Sequence, residues 1–470
     1  MPAQQSARRT TGSSTTTRST VPIATAAPDP GATDPAADAR DGTRPVRTTG
    51  PRVTRLLGRL AADDGEQRAA LSAEFWREVE RLGTPLIEEI EDEPDHRAVT
   101  FLWRGHRATR QVVLLANRLT DRRFLAGSLL EQVPGTDVWH LGLKLRADHR
   151  GTYRLAADIS VNEPPADPEG LQHRLRGLSA HAAADPLNPR TVATRWDAAE
   201  SSVFALPHAP AQPWAQRVGT VPAGRVERHR VGSAVLGEDR DVRLYLPTGV
   251  AHGGPLVQQP LPVVVLCDGD MWFGRMGLEH TLDVLIADGT LPPLAVVAPE
   301  AVDRHTRWRD LGGRDPFVAF LADELLPWAA TRAPLTTEPG RTVVAGQSLG
   351  GTTALYAALT RPERFGAVLA QSPSLWWRPG VAQAEPKPPV DGLPWLVERY
   401  TAARLAPTTF HVAVGLHEGA MVDHARTLTG ALRAGGHRVT HGEFNGGHDH
   451  ACWHGALADG LVGLLGTARP

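Results

Sequence analysis

Apolar residues first recur at helical spacing between Leu71 and Leu82, where Leu71, Phe75, Val79 and Leu82 fall on one face and predict a helix. The period then drops to two. Val99, Phe101 and Trp103 share one face of an extended run, and Trp139, Leu141, Leu143 and Leu145 share a face of another, with the turn signal Pro134-Gly135 between them. Short strands at this spacing predict an Ig-like β-sandwich. From Glu163 to Pro213 the chain turns to Pro, Ala and polar residues, including Asp185-Pro186-Leu187-Asn188-Pro189, which reads as a connection between domains.

Beyond about Arg225 strand and helix patterns alternate. Val242 to Leu246, Pro262 to Leu266, Leu294 to Ala298, Arg341 to Ala345, Ala367 to Gln371 and Phe410 to Val414 are strand candidates; Phe317 to Trp328, Leu349 to Leu359 and Trp453 to Leu465 are helical. The alternation predicts an α/β domain with a mostly parallel sheet covered on both faces. Residues 1–50 are poor in apolar side chains and rich in Pro, Gly, Ser and Thr, so they cannot bury enough surface to offset their ordering entropy and are expected to be a disordered tail. The expected division is tail 1–50, β-sandwich domain with linker 51–215 and α/β domain 216–470.

Composition narrows this picture only a little. A chain of 470 residues, 41% hydrophobic and 22% charged, has material for two full-sized cores. Fifty basic against 52 acidic residues leave a net charge of −2, which recommends neither nucleic acid nor an anionic membrane as partner. No signal-peptide core and no run of 18 apolar residues occurs. The two cysteines, Cys267 and Cys452, sit in apolar runs suited to buried free thiols, and a cytoplasmic location is the simplest expectation.

The chemistry concentrates in Arg341 to Gly351, where a β-branched strand runs into Gly346-Gln347-Ser348-Leu349-Gly350 and then a helix. This is the nucleophile-elbow pattern: the turn is too tight for bulky side chains two positions either side of the serine, and the helix that follows offers its first amides to an anion. Ser348 is the expected nucleophile. A serine hydroxyl needs a base, and Phe444-Asn445-Gly446-Gly447-His448-Asp449 supplies His448 on a flexible loop before the last helix, with His450, His454 and His441 as competitors. A metal site built from His448, His450, Cys452 and His454 is the alternative, but HExxH and paired CxxC patterns are missing, so no metal and no cofactor are expected. The orienting acid should follow the strand Phe410 to Val414, as Glu418 or Asp423. Oxyanion donors are expected from the Leu349 amide and from amides near Gly269 and Asp270, after the strand ending at Cys267.

Several segments together resemble the enterochelin esterases, which hydrolyse ferric catecholate trilactone siderophores. They are Val343 to Gly351 (VVAGQSLGG), Arg361-Pro-Glu-Arg-Phe-Gly366, Gln371-Ser-Pro-Ser-Leu-Trp376-Trp377, and Gly446-Gly-His-Asp449 with Cys452-Trp453. Val99 to Arg104 and Asp185 to Pro189 are similar to that family's N-terminal domain. The resemblance implies cleavage of the serine-ester linkages of a ferric tri-catecholate, with Ser348 as nucleophile, His448 as base and Glu418 favoured over Asp423. It also implies that Arg307 meets the anionic ligand, with Arg304 nearby and Trp376 and Trp377 beside it, an apt arrangement for a trianionic aromatic substrate. Leu349 and Pro373-Ser374-Leu375 depart from the family pattern, and the long N-terminal segment is extra. Rival readings are a carbohydrate or feruloyl esterase, an acyltransferase using the same elbow, and a siderophore-binding protein that needs the arginines but no triad.

Overall fold

The computed structural model describes residues 45–63, 65, 67–196, 199–251, 259–381 and 392–466. Most of the expected tail, residues 1–44, lies outside them. Its last residues do not behave as a tail: Val46–Arg47 (β1) pairs antiparallel with Val138–Arg146 (β6).

The first unit consists of two antiparallel sheets. One has the order β1-β6-β3-β2, where β2 is Leu86–Glu89 and β3 is His96–Arg104, and the short Glu131–Gln132 (β5) also pairs with β6. The other has the order β4-β7-β9-β8, from Gln111–Ala116 (β4), Arg150–Asp158 (β7), Thr191–Val192 (β8) and Ser201–Ala205 (β9). Val99, Phe101, Leu141 and Leu143 of the first sheet share one apolar cluster with Val112, Leu114, Tyr153, Leu155 and Phe204 of the second. The opposite faces are covered too. Helices Pro51–Ala61 and Arg68–Leu82 pack Val53, Leu56, Phe75 and Trp76 against Leu102 and Val138, while helix Pro168–Ser179 places Leu175 over Val113, Leu115 and Ala156. This is why β4 reads Val-Val-Leu-Leu without alternation: both of its faces are buried.

The expected helix over Leu71 to Leu82 forms as Arg68–Leu82. The connection expected over Glu163 to Pro213 is corrected, because it contains the helix Pro168–Ser179. Pro168 stands at the first turn and Asp167 caps it by accepting from the Gly170 amide. The Asp185 to Pro189 stretch is likewise part of the folded unit: Asp185 accepts the Tyr153 hydroxyl at 2.7 Å, and Asn188 donates to the Val203 carbonyl at 3.0 Å.

The second unit is an α/β domain around an eight-stranded sheet of order β10-β11-β13-β12-β14-β15-β16-β17. Its strands are Arg225–Ser233 (β10), Glu238–Leu246 (β11), Val263–Leu266 (β12), Ala295–Pro299 (β13), Thr342–Gln347 (β14), Ala367–Gln371 (β15), Thr409–Gly415 (β16) and Arg438–Phe444 (β17). The β10/β11 and β11/β13 pairs are antiparallel and every later pair is parallel. Two apolar layers, one on each face, bury the alternate residues: Val344 and Val368 belong to one, Val343 and Leu369 to the other. Because the strands from β12 to β17 run the same way, their carboxyl ends gather Asp268, Ser348, Ser372, Glu418 and the loop bearing His448 at one edge of the sheet. No helix among the described residues is long and apolar enough to cross a membrane.

Candidate active site

Ser348 sits at the turn from β14 into helix Leu349–Thr360 with φ 58° and ψ −122°, a left-handed conformation that a serine adopts only where its surroundings enforce it. The glycines make the turn physically feasible. A Cβ on Gly346 would lie 2.4 Å from the Gly350 carbonyl carbon, so the arms of the turn touch. The first amides of the following helix, Leu349 among them, lack intrahelical acceptors.

Glu418 is 3% exposed and fully engaged. One carboxylate oxygen accepts from the Ser372 hydroxyl at 2.6 Å and the Gly415 amide at 2.8 Å; the other meets His448 Nδ1 at 2.5 Å. Burial alone would raise its pKa, but the His448 ring and these donors outweigh it and hold the carboxyl below its ordinary value. The His448 ring is also wedged edge-on against Trp453, with centroids 4.6 Å apart, and Trp453 Nε1 donates to Ser372 Oγ at 2.9 Å. Two sides of the imidazole are thereby fixed. The Ser348 hydroxyl, whose hydrogen-bond partner is Ser374 Oγ at 3.2 Å, lines the same cleft as His448.

The competitors are placed elsewhere. Asp423 is exposed and pairs with Arg426 at 3.5 Å. His454 is bonded to Thr281, and His441 to Thr429 and Glu443. His450 packs against Trp272 and Trp453, and burial, aided by the neighbouring Arg195, lowers its pKa to about 3. Cys452 Sγ is bonded to the Arg150 carbonyl at 3.2 Å, and both cysteines are buried free thiols. Among the described residues no three His, Cys, Asp or Glu side chains are grouped so as to hold a metal ion.

Ser348, Glu418 and His448 face a cleft of about 930 Å³ whose other wall is the first unit. Its lining includes six arginines, of which sequence reasoning named only Arg307. Arg307 binds Asp268 through two parallel hydrogen bonds of 2.8 and 2.9 Å, and Arg195, which follows β8, reaches the same carboxylate at 3.0 Å. Burial opposes ionisation of Asp268, yet the two guanidinium groups hold its pKa down to about 2. Its stabilising contribution is therefore complete above the ordinary 3.8 and lost as the pH falls through about 2. Asp268→Asn, which leaves Arg307 buried without its paired carboxylate and Arg195 with only Asp270 at 3.6 Å, should destabilise the fold by about 3 kcal/mol, read as a shift in the urea midpoint at neutral pH.

The remaining cleft arginines, Arg118, Arg122, Arg123 and Arg154, come from β7 and the loop after β4. Nothing in their local sequence marks them, because what makes them a group is the docking of the first unit over the sheet edge. The other expectations are corrected here. Arg304 is exposed at the start of helix Arg304–Asp310 and does not line the cleft. Trp377 is 1% exposed, under the Arg314 guanidinium and against Trp395, so it belongs to the core. Trp376 stacks on Trp308 away from the cleft lining. Gly269 and Asp270 do not line the cleft either: Gly269 lies so close to the Ala298 carbonyl that a Cβ would be 2.2 Å from it, and Asp270 accepts from the Ala301 amide.

Comparison with known proteins shows the family. The esterase family model matches residues 233–464, and the model described as "Enterochelin esterase, N-terminal" matches residues 98–215. The chain is 35% identical over 417 residues to the iron(III) salmochelin esterase of Escherichia coli O6:H1, covering 88% of this chain and 97% of that protein. It is 34% identical over 416 residues to the iron(III) enterobactin esterase of Dickeya dadantii, covering 83% and 92% respectively. Among solved structures it resembles the enterobactin esterase of Shigella flexneri crystallised in the presence of enterobactin, with TM-score 0.70, 29% identity and coverage of 84% of this chain and 98% of that one. A relative more than 30% identical over nearly its whole length, and two family models in the order of the two units, establish that this chain is an ester hydrolase belonging to the enterochelin esterase family.

Proposed function

We propose that this chain hydrolyses the ester bonds of a ferric tri-catecholate trilactone in a cleft between an Ig-like β-sandwich domain, residues 51–215, and an α/β-hydrolase domain, residues 216–470. The observation that carries the reading is the pairing of Ser348 with an arginine-lined wall. Asp268 offsets Arg195 and Arg307, whereas Arg118 and Arg122 add positive charge on the facing unit, where a trianionic complex would rest. A simple aryl or sugar ester has no use for that field.

In this reading His448 Nε2 takes the Ser348 proton as Oγ attacks the ester carbonyl, and Glu418 stabilises the imidazolium that results. The Leu349 amide receives the developing oxyanion. His448 then protonates the departing serine alkoxide of the substrate, and water repeats the sequence on the acyl-enzyme. The first cut opens the ring that holds three catecholates together and the later cuts separate them, so the iron complex weakens. Two buried free thiols suit a reducing compartment, and we place the reaction in the cytoplasm.

The test is turnover of ferric enterobactin, a small aryl ester and a feruloyl sugar, with products identified by mass. The expected products are linear trimer, dimer and monomer of dihydroxybenzoylserine, formed with the highest kcat/KM of the three substrates. Cleavage of the feruloyl sugar alone would overturn the siderophore reading.

A further inference from the structure

We propose that Asn117, on the first unit, is a positioning residue that holds the main chain of His448 in register with Ser348. This rests on the reading of His448 as the base. Asn117 Oδ1 accepts from the His448 amide at 2.8 Å, and Asn117 Nδ2 donates to the His448 carbonyl at 3.2 Å. One side chain thus satisfies both polar groups of a single residue across an interface, and the complementarity fixes which way the amide faces.

The clamp is rigidly mounted. Asn117 directly follows β4, and its own amide donates to the Thr152 carbonyl of β7 at 2.8 Å. The neighbouring contacts continue the grip on either side of His448: the Arg150 amide donates to the Asn445 carbonyl at 3.0 Å, and Thr152 Oγ1 donates to Asp449 at 2.8 Å. Gly447 explains how Asn117 comes so near. A Cβ there would lie 2.5 Å from Asn117 Oδ1 and 3.0 Å from Arg118 Cβ, so the glycine leaves room for the clamp.

The physical need is clear from the loop itself. Glu418 and Trp453 fix the imidazole ring, but a ring on a Gly-Gly loop is only as well placed as the backbone that carries it. Proton transfer tolerates little error in position; a displacement of about 1 Å can cost on the order of a hundredfold in rate. Without the first unit the second would keep Ser348, Glu418 and His448 and lose the restraint on the last of them.

The test uses the full chain and a small fluorophosphonate, which phosphonylates Ser348 as fluoride leaves and the hydroxyl proton passes to the base. Such a probe needs no siderophore pocket, so it separates positioning from binding. Asn117→Ala should slow labelling and lower kcat by about ten- to a hundredfold, with KM for ferric enterobactin within about twofold of the parent and an unchanged melting profile. Asn117→Asp, which keeps the acceptor and loses the donor, should fall between. Gly447→Ala, which pushes on the clamp from the other unit, should reproduce the loss. Labelling of Asn117→Ala at the parental rate, or an effect confined to KM, would overturn the proposal; should that variant fail to fold, parental labelling of Asn117→Asp would do the same. His448→Ala is the separate control: labelling at the parental rate there would remove His448 as base, whatever Asn117 does.

Discussion

Ser348→Ala is expected to lower kcat by about 10⁶, the loss seen when the nucleophile of a comparable serine enzyme is removed. Ser348 occupies a strained turn that brings its hydroxyl to the cleft, and removing Oγ deletes the atom that forms the acyl-enzyme in the proposed mechanism. Its neighbours depend little on that oxygen, since its hydrogen bond is to Ser374 Oγ and the helix behind it is anchored by backbone contacts. Folding and ligand affinity should therefore survive. Fluorescence quenching by the ferric siderophore reads the second, and product mass reads the first. A variant that retained even a hundredth of the parental turnover would show that another group does the chemistry.

The next largest effect is expected for Glu418→Gln, about 10⁴ in kcat. Ser372 and the Gly415 amide both donate to one oxygen of Glu418, so the glutamine carbonyl must take that position and its NH2 must face His448. The imidazole can then meet the NH2 only with a lone pair on Nδ1, which leaves its proton on Nε2, the atom that should receive the proton from Ser348. Geometry is kept and the tautomer is wrong. Single-turnover kinetics with the aryl ester would measure the loss, and a decrease below tenfold would remove Glu418 from the relay. Because the folded-state pKa of Glu418 lies below its ordinary 4.5, its contribution to stability is complete above that value and is lost as acid protonates the folded protein. Acid unfolding should thus begin at higher pH in Ser372→Ala, which keeps the Glu418 carboxyl but removes one of the donors that hold its pKa down.

The strands of the second unit were largely legible because a buried parallel sheet requires continuous apolar runs. Ala367–Gln371 forms over the span its pattern indicates, and the other five expected strands agree to within a few residues. Arg225–Ser233 was not legible. It is a half-exposed edge strand reading Arg-Val-Glu-Arg-His-Arg, held by pairing with β11 rather than by its own apolar content. Helix Pro168–Ser179 escaped for a related reason: only Leu175 on it is fully buried, so its capping residues spoke more clearly than its periodicity.

The sequence by itself determined the turn at Ser348, because a strand, two glycines that must nearly touch and a helix leave few conformations for GxSxG. It also indicated Glu418, which follows a strand with a local apolar pattern, and His448, marked by the glycine pair before the last helix rather than by the polar strand Arg438–Phe444. What only the tertiary structure decided is the other wall of the cleft. Asn117, Arg118 and Arg154 are separated from His448 by some three hundred residues of chain, and their meeting depends on how one folded unit packs on another. Packing within the second unit buries Trp377 against Arg314 and Trp395, while Arg304 lies exposed outside the cleft. Local pattern records which face of an element is buried, but not what the other unit brings to its edge.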